Sequence, residues 1–244
     1  MAVVSVENRD GIGLLTLDDP DHRNAITLAM ANEIEAAVAA LAGDPGVGAV
    51  VVTGAGPSFC AGADRGLLAT ADEAALRRVY GAFLAVRRCP LPTVAAVNGP
   101  AVGAGLNLAL ACDVRITARS ARFDARFLQL PVHPGGGNLW LLERLVGSQA
   151  AAAMVVFDQP VSGAEAVPLG LAWSCVPDGE AVSSALAFCA RLAGSPTPAL
   201  ATRIKATLRA SSEIAAHEDA VELELREQLE SMRSPGFRDR IAAT

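Results

Sequence analysis

The chain has 244 residues, 52% hydrophobic and 19% charged, with a formal net charge of −6. The length suits one large α/β domain with an appendage, or two small domains. An acidic balance with no basic face argues against DNA or RNA as the main partner. Five scattered cysteines without a CxxC argue for reduced thiols in a cytoplasmic protein, and for neither a disulfide framework nor a metal site.

The N-terminus, MAVVSVENRDGIG, lacks a basic segment followed by an apolar one, so no signal peptide is expected. No apolar run approaches the roughly 20 residues that span a bilayer, so no membrane partner is expected. Residues 2–7 and 11–17 are β-like and flank Asn8-Arg9-Asp10-Gly11, a hairpin signal. Thr27 then caps a helix whose apolar residues Met30, Ile34 and Val38 recur every four. Asp44-Pro45-Gly46 ends it, and GAVVVTG (48–54) reads as a buried strand. The loop AGPSFCAGAD follows, then a helix over 72–88. PTVAAVNG is a strand, GPAVGAG a turn, LNLALACD a helix and VRITAR a strand. FDARFLQLPVHPGGGN has no clear pattern; 138–156 reads helical and 172–176 as a short strand. Helices over 180–193, 196–210 and 213–232 and a last short piece close the chain, with Pro196 and Pro235 as punctuation. Strands alternating with helices, followed by helices alone, imply an α/β core over 1–193 and a helical region over 194–244.

Two glycine-rich turns, AGAD (61–64) and GAG (103–105), each follow an apolar strand and precede a helix. Small residues admit a ligand close to the backbone. A helix start leaves N–H groups unpaired and carries partial positive charge. Two such turns side by side aim two donors at one oxygen, the layout of an oxyanion hole. Tight turns without a ligand are the plain alternative. Neither turn is a nucleotide motif: GAGLNL lacks the third glycine of GxGxxG, and no GxxxxGK[ST] occurs. A nicotinamide dehydrogenase is thereby excluded.

HRNAI (22–26), VVTGAGPSFCAGAD (51–64), VAAVNGPAVGAGLNLALACDV (94–114) and the segment 147–177 occur in one order along nearly the whole chain. On these segments the chain resembles the enoyl-CoA hydratase/isomerase, or crotonase, family. The resemblance implies a spiral of ββα units with C-terminal helices that mediate trimers, often paired into hexamers. It implies an acyl-CoA thioester as ligand, with no cofactor besides the coenzyme A of the substrate. It implies that the thioester oxygen sits between the backbone N–H groups of Ala63 and Ala104, the latter where the family usually has glycine. Arg23 matches a position near CoA phosphates, and Ala25 and Ala61 positions whose backbone meets the adenine. Gly62, Asp64, Gly103, Phe127 and Gly135 fall on the same substrate-binding segments.

The chain departs from the family's hydratases at the two glutamates that position and deprotonate water. Asn107 and Phe127 stand there. Asparagine hydrogen-bonds but does not exchange a proton near neutral pH, and phenylalanine does neither. General acid–base catalysis contributes about 10²–10⁴-fold, so efficient hydration is not expected. His133, on the glycine-rich loop, and Asp124 are the replacement acid–base candidates; a loop histidine bonded to backbone is the plain reading of the first. Asp64 is expected to cap a helix, and Glu143 to be structural. Cys60 and Cys112 read as core residues. Phe127, Leu128, Leu130 and Trp140 shape an apolar acyl pocket or fill core. The resemblance implies a basic tail that helps hold CoA; with the chain ending at SPGFRDRIAAT, the expectation is either weaker CoA binding or a shift of that work to Arg23 and helix residues such as Lys205.

The expectation is an enolate-stabilising acyl-CoA enzyme, an isomerase or decarboxylase, with a catalytically silent acyl-CoA binder as the alternative. A hydrolase built on Ser58 lacks a partner histidine.

Overall fold

The computed structural model describes residues 2–193 and 198–242. The hairpin comes first: β1 (Val4–Arg9) pairs antiparallel with β2 (Ile12–Leu17). Asp10 and Gly11 take φ of 52° and 83°, the left-handed pair a two-residue turn requires, and Asn8 Oδ1 accepts from Gly11 N at 2.9 Å. A 3₁₀ turn at Pro20–His22 leads to α1 (Leu28–Gly43), whose cap is Thr27, accepting from Met30 N. Next come β3 (Ala49–Gly54), α2 (Arg65–Thr70), α3 (Glu73–Arg88) and β4 (Thr93–Val97). Then follow β5 (Ala101–Val102), α4 (Ala104–Ala111), β6 (Val114–Ala118), β7 (Arg122–Asp124) and α5 (Asn138–Val155). The rest is β8 (Val161–Ser162), α6 (Gly163–Ala166), β9 (Ser174–Val176), α7 (Ala181–Ala193), α8 (Pro198–Ser211), α9 (His217–Met232) and α10 (Pro235–Ala242).

The main sheet has the order β1-β2-β3-β4-β6-β9, parallel from β2 onward. Its strands are apolar on both faces because both faces are covered. Leu15, Leu17, Val50, Val52, Ala95 and Val97 point into the larger core with α1, α3 and α4. Their neighbours Ile12, Leu14, Val51, Val94 and Ala96 point the other way, against α7. A small second sheet, β5-β7-β8, sits beside it.

The structure adds short elements that the sequence pattern does not signal: α6, and the two- and three-residue strands β5, β7 and β8; α2 is the helix that Asp64 is expected to cap. The helix expected over 138–156 is not continuous, because Gly147 adopts φ 76° and ψ 166° inside α5. The expected strand over 172–176 shortens to Ser174–Val176. The expected boundary between 193 and 194, and Pro196, fall at or within residues 194–197, outside those described. Beyond them the C-terminal region is helical, as α8 to α10. No helix among the described residues is long and apolar enough to cross a membrane.

Candidate functional site

Two chain segments run side by side at the ends of β3 and β4. Cys60 bridges Ala101 in parallel fashion, Val102 N donates to Cys60 O at 2.9 Å, and Phe59 N and Cys60 N share Pro100 O at 3.1 Å. The segment 24–26 flanks them: Ala61 N donates to Arg23 O (3.0 Å), Ile26 N to Gly62 O (2.7 Å) and Asp64 N to Ile26 O (3.0 Å). Ala63 N has no acceptor among the described residues, and neither does Ala104 N, at the first position of α4. The two turns are close: a Cβ built on Gly62 would lie 2.7 Å from Val102 O and 3.6 Å from Ala104 N. Gly105 has equally little room, since its Cβ would meet Cys60 O at 2.2 Å. Small residues here let two backbones touch and leave two donors unpaired.

Two asparagines, Asn24 buried and Asn98 half-buried, hold these turns, and the sequence did not single them out. Asn24, fully buried, donates from Nδ2 to Ala55 O and Ser58 O, both at 2.9 Å, and accepts at Oδ1 from Asp19 N. Asn98 donates to Gly56 O at 3.0 Å and accepts from Gly54 N at 3.3 Å. Only their positions in the segments NG (98–99) and RNA (23–25) hinted at this. Ser58 is buried under the same network.

Asn107 is also committed. It is 3% exposed; its Nδ2 donates to Gly135 O at 3.0 Å, and its Oδ1 accepts from Asn138 Nδ2 at 2.7 Å. Both ends of the amide are thus spent on pinning the glycine-rich loop to α4. Asp124 is 1% exposed and ion-paired with Arg126, Nη2 to Oδ2 at 2.6 Å; Arg122 stands 3.8 Å away. Its backbone O accepts from Gly103 N at 2.9 Å, which fixes the turn before α4. His133 is exposed, with Nδ1 2.8 Å from Pro134 O, the plain reading of a loop histidine. Asp64 caps α2, accepting from Leu67 N at 2.8 Å.

Phe127 is partly buried against the larger core, whereas Leu128 (57% exposed) and Leu130 (40%) face outward. Trp140 is exposed and lies under the Arg144 guanidinium, 3.8 Å from its ring centroid, so it does not fill core. Arg23 is exposed and left-handed at φ 54°, with Ala25 half-buried beside it. His22 shares Nδ1 with Asp19 Oδ1 at 2.8 Å, which raises its pKa. Burial pushes the Cys60 and Cys112 thiols up to about 12, so they stay protonated core groups. Lys205 is 8% exposed, ion-paired with Asp113 and bonded to Leu91 O at 2.6 Å; it is not available to a CoA phosphate. A groove of about 670 Å³ between α8 and the core, lined by Arg87, Leu110, Trp140 and Leu208 among others, is separate from the two turns. No cluster of three metal-ligating side chains occurs among the described residues.

The arrangement thus offers two backbone donors without an acceptor among the described residues, with the neighbouring carboxylates of Asp64 and Asp124 engaged by Leu67 N and Arg126. A family model described as enoyl-CoA hydratase/isomerase matches residues 7–238. A probable enoyl-CoA hydratase of Mycobacterium tuberculosis is 47% identical over 95% of this chain and 93% of its own. A probable enoyl-CoA hydratase of Rhodobacter capsulatus is 41% identical over 83% and 80%. The crystal structure of a putative enoyl-CoA hydratase from Streptomyces coelicolor superposes with a TM-score of 0.89 at 34% identity, covering 99% of this chain and 90% of that one. An enoyl-CoA hydratase from Bacillus anthracis gives 0.92 at 26%, over 99% and 95%. The fold is the crotonase α/β fold, and the chain belongs to the enoyl-CoA hydratase/isomerase family.

Proposed function

We propose that this chain binds an acyl-CoA thioester and stabilises its enolate between Ala63 N–H and Ala104 N–H. Isomerisation or decarboxylation suits the site better than hydration. The observation that carries this reading is the contrast between two unpaired donors and an Asn107 amide whose Nδ2 and Oδ1 are each bonded to the protein. An oxyanion-hole donor is worth about 10²–10³-fold in rate, and it needs no side-chain acid. Decarboxylation asks least of acid–base groups, because carbon dioxide leaves once the enolate is stabilised. Arg23, Ala25 and Ala61 are assigned to the CoA end, and no cofactor beyond that CoA is required.

A silent acyl-CoA-binding protein is the second reading. It is favoured by the same commitment of Asn107, and by Asp124 and His133 being tied to Arg126 and Pro134. Incubation with enoyl-, malonyl-type and saturated acyl-CoAs, followed by mass spectrometry and chromatography, separates the two. Loss of carbon dioxide or a moved double bond supports the enzyme. Rapid gain of water overturns it, and retention without change supports the binder.

A trimer, alone or paired into a hexamer, is the proposed assembly. Its support is the apolar surface the chain leaves uncovered, including Ile204, Leu208, Leu225 and Leu229 on α8 and α9, and Trp173 packed on Phe188. Light scattering tests it.

A further inference from the structure

Arg23 and Asn24 follow one another in the left-handed region, at φ 54° and 57°. Two consecutive residues other than glycine are uncommon there and persist where their surroundings hold them. The fully buried Asn24 amide holds this pair. Its Oδ1 accepts from Asp19 N at 2.9 Å, and its backbone N donates to Asp19 O at 2.8 Å. Its Nδ2 crosses to the loop after β3 and donates to Ala55 O and Ser58 O, both at 2.9 Å. A primary amide has two N–H donors, and both are used. Gly54 leaves the space for it: a Cβ there would fall 2.7 Å from Asn24 Nδ2.

Beyond the amide the two segments run as a ladder. Ala61 N donates to Arg23 O at 3.0 Å. Ile26 pairs with Ala63 in parallel, donating to Gly62 O at 2.7 Å and accepting from Asp64 N at 3.0 Å. In an extended ladder, successive residues turn their N–H and C=O groups to opposite sides. With Gly62 O and Asp64 N spent on Ile26, Ala63 N–H faces the other side, where Cys60 bridges Ala101. Residues 23–26 therefore set the direction of the Ala63 donor, and Asn24 sets the place of residues 23–26.

We infer that Asn24 is a positioning residue: it ties the segment assigned to the CoA end to the Ala63 donor, so that the nucleotide end of the ligand helps polarise the thioester carbonyl. This rests on the acyl-CoA reading above, in which Arg23 and Ala25 meet CoA. Binding energy from a remote part of a ligand is spent on alignment where the reacting group sits, and the ladder is the connection that carries it.

The carbonyl itself reports the result, without knowledge of the reaction. Two thioesters labelled with ¹³C at the carbonyl would be compared: butanoyl-CoA, and butanoyl N-acetylcysteamine, which lacks the nucleotide. Isotope-edited infrared spectroscopy reads the C=O stretch of each when bound at saturation. Donors at the carbonyl oxygen lower that stretch, and the expected shift is larger for butanoyl-CoA than for the short thioester. In Asn24→Ala the two shifts should become equal and small, while calorimetry finds butanoyl-CoA affinity within about threefold of the parent's. Asp113→Ala, which lowers stability without touching residues 23–26 or 61–64, should keep the difference.

Equal shifts for the two thioesters on the unmodified chain overturn the Asn24 assignment, and that comparison needs no variant to fold. A difference that survives in Asn24→Ala, or that vanishes in Asp113→Ala as well, also overturns it and leaves the acyl-CoA reading intact. Butanoyl-CoA that fails to bind the unmodified chain, or binds with an unshifted carbonyl, overturns both.

Discussion

Helix α4 ends in two opposite ways. At its C-terminal end Asp113 accepts from Thr93 N and Oγ1 at 2.8 and 2.9 Å and pairs with Lys205 and with Arg209 at 3.0 Å. Lys205 in turn bonds Leu91 O. At its N-terminal end Ala104 N has no acceptor among the described residues, and Asn107, three residues on, is bonded to Gly135 and Asn138. One end is saturated, with charges that lock α8 to the sheet. The other is left uncharged with a donor to spare. Saturated polar groups hold the fold together, and those left open are where a ligand completes the set.

The largest expected effect comes from disturbing the saturated end. Asp113→Ala leaves the Lys205 ammonium buried without a counter-ion, which costs about 3 kcal/mol. Urea unfolding would show it, and adding Lys205→Met should restore part of the loss. An unchanged midpoint would mean that the two ends of α4 do not differ as described.

At the open end, Ala104→Pro removes the N–H at a position where helices tolerate proline. Turnover of whichever thioester reacts should fall about 10²-fold, with the unfolding midpoint close to that of the parent. A large fall in stability with activity retained would reverse the roles of the two ends. Asn107→Ala sharpens the comparison from the middle of the helix. It strips partners from Gly135 O and Asn138 Nδ2, so a loss of about 2 kcal/mol is expected. Loss of activity alone, with stability kept, would make Asn107 a ligand-contacting group instead of a loop anchor.

The smallest effect lies at a cap far from α4. Ser162 Oγ and N donate to Glu165 at 2.6 and 2.9 Å and hold its carboxyl below the ordinary 4.5. A lowered folded-state value gives stability that is present above about 4.5 and lost as pH falls through that value. Ser162→Ala should therefore be less stable than the parent at pH 6, and the gap should narrow as pH falls below 4.5, leaving the pH-independent loss of the bond from Glu165 N to Ser162 Oγ.

The sequence made some of this plain. Asp10-Gly11 announces its turn because only that backbone suits two left-handed residues. Met30, Ile34 and Val38 announce α1 because a four-residue spacing has one structural meaning. The two site turns were readable for a related reason: their chemistry lies in the backbone, and AGAD and GAG mark where the backbone is bare. What stayed hidden was of two kinds. The strands β5, β7 and β8 have two or three residues, too few for an alternation to register. The Asn107–Asn138 and Asp113–Lys205 contacts join residues 31 and 92 positions apart, which no local pattern encodes. Gly147 looked like one small residue in a helical run, and only the folded chain shows it breaking the ladder.

The placement of the two indoles has an optical consequence. Trp140 is 41% exposed and Trp173 is 69% exposed. Both indoles have access to water in the single chain, so unfolding it should shift their emission less than it would for buried indoles. Covering Trp173 with another copy would move its emission to shorter wavelength. Dilution followed by fluorescence would then track how the chains come apart, while the core that holds α4 stays out of view.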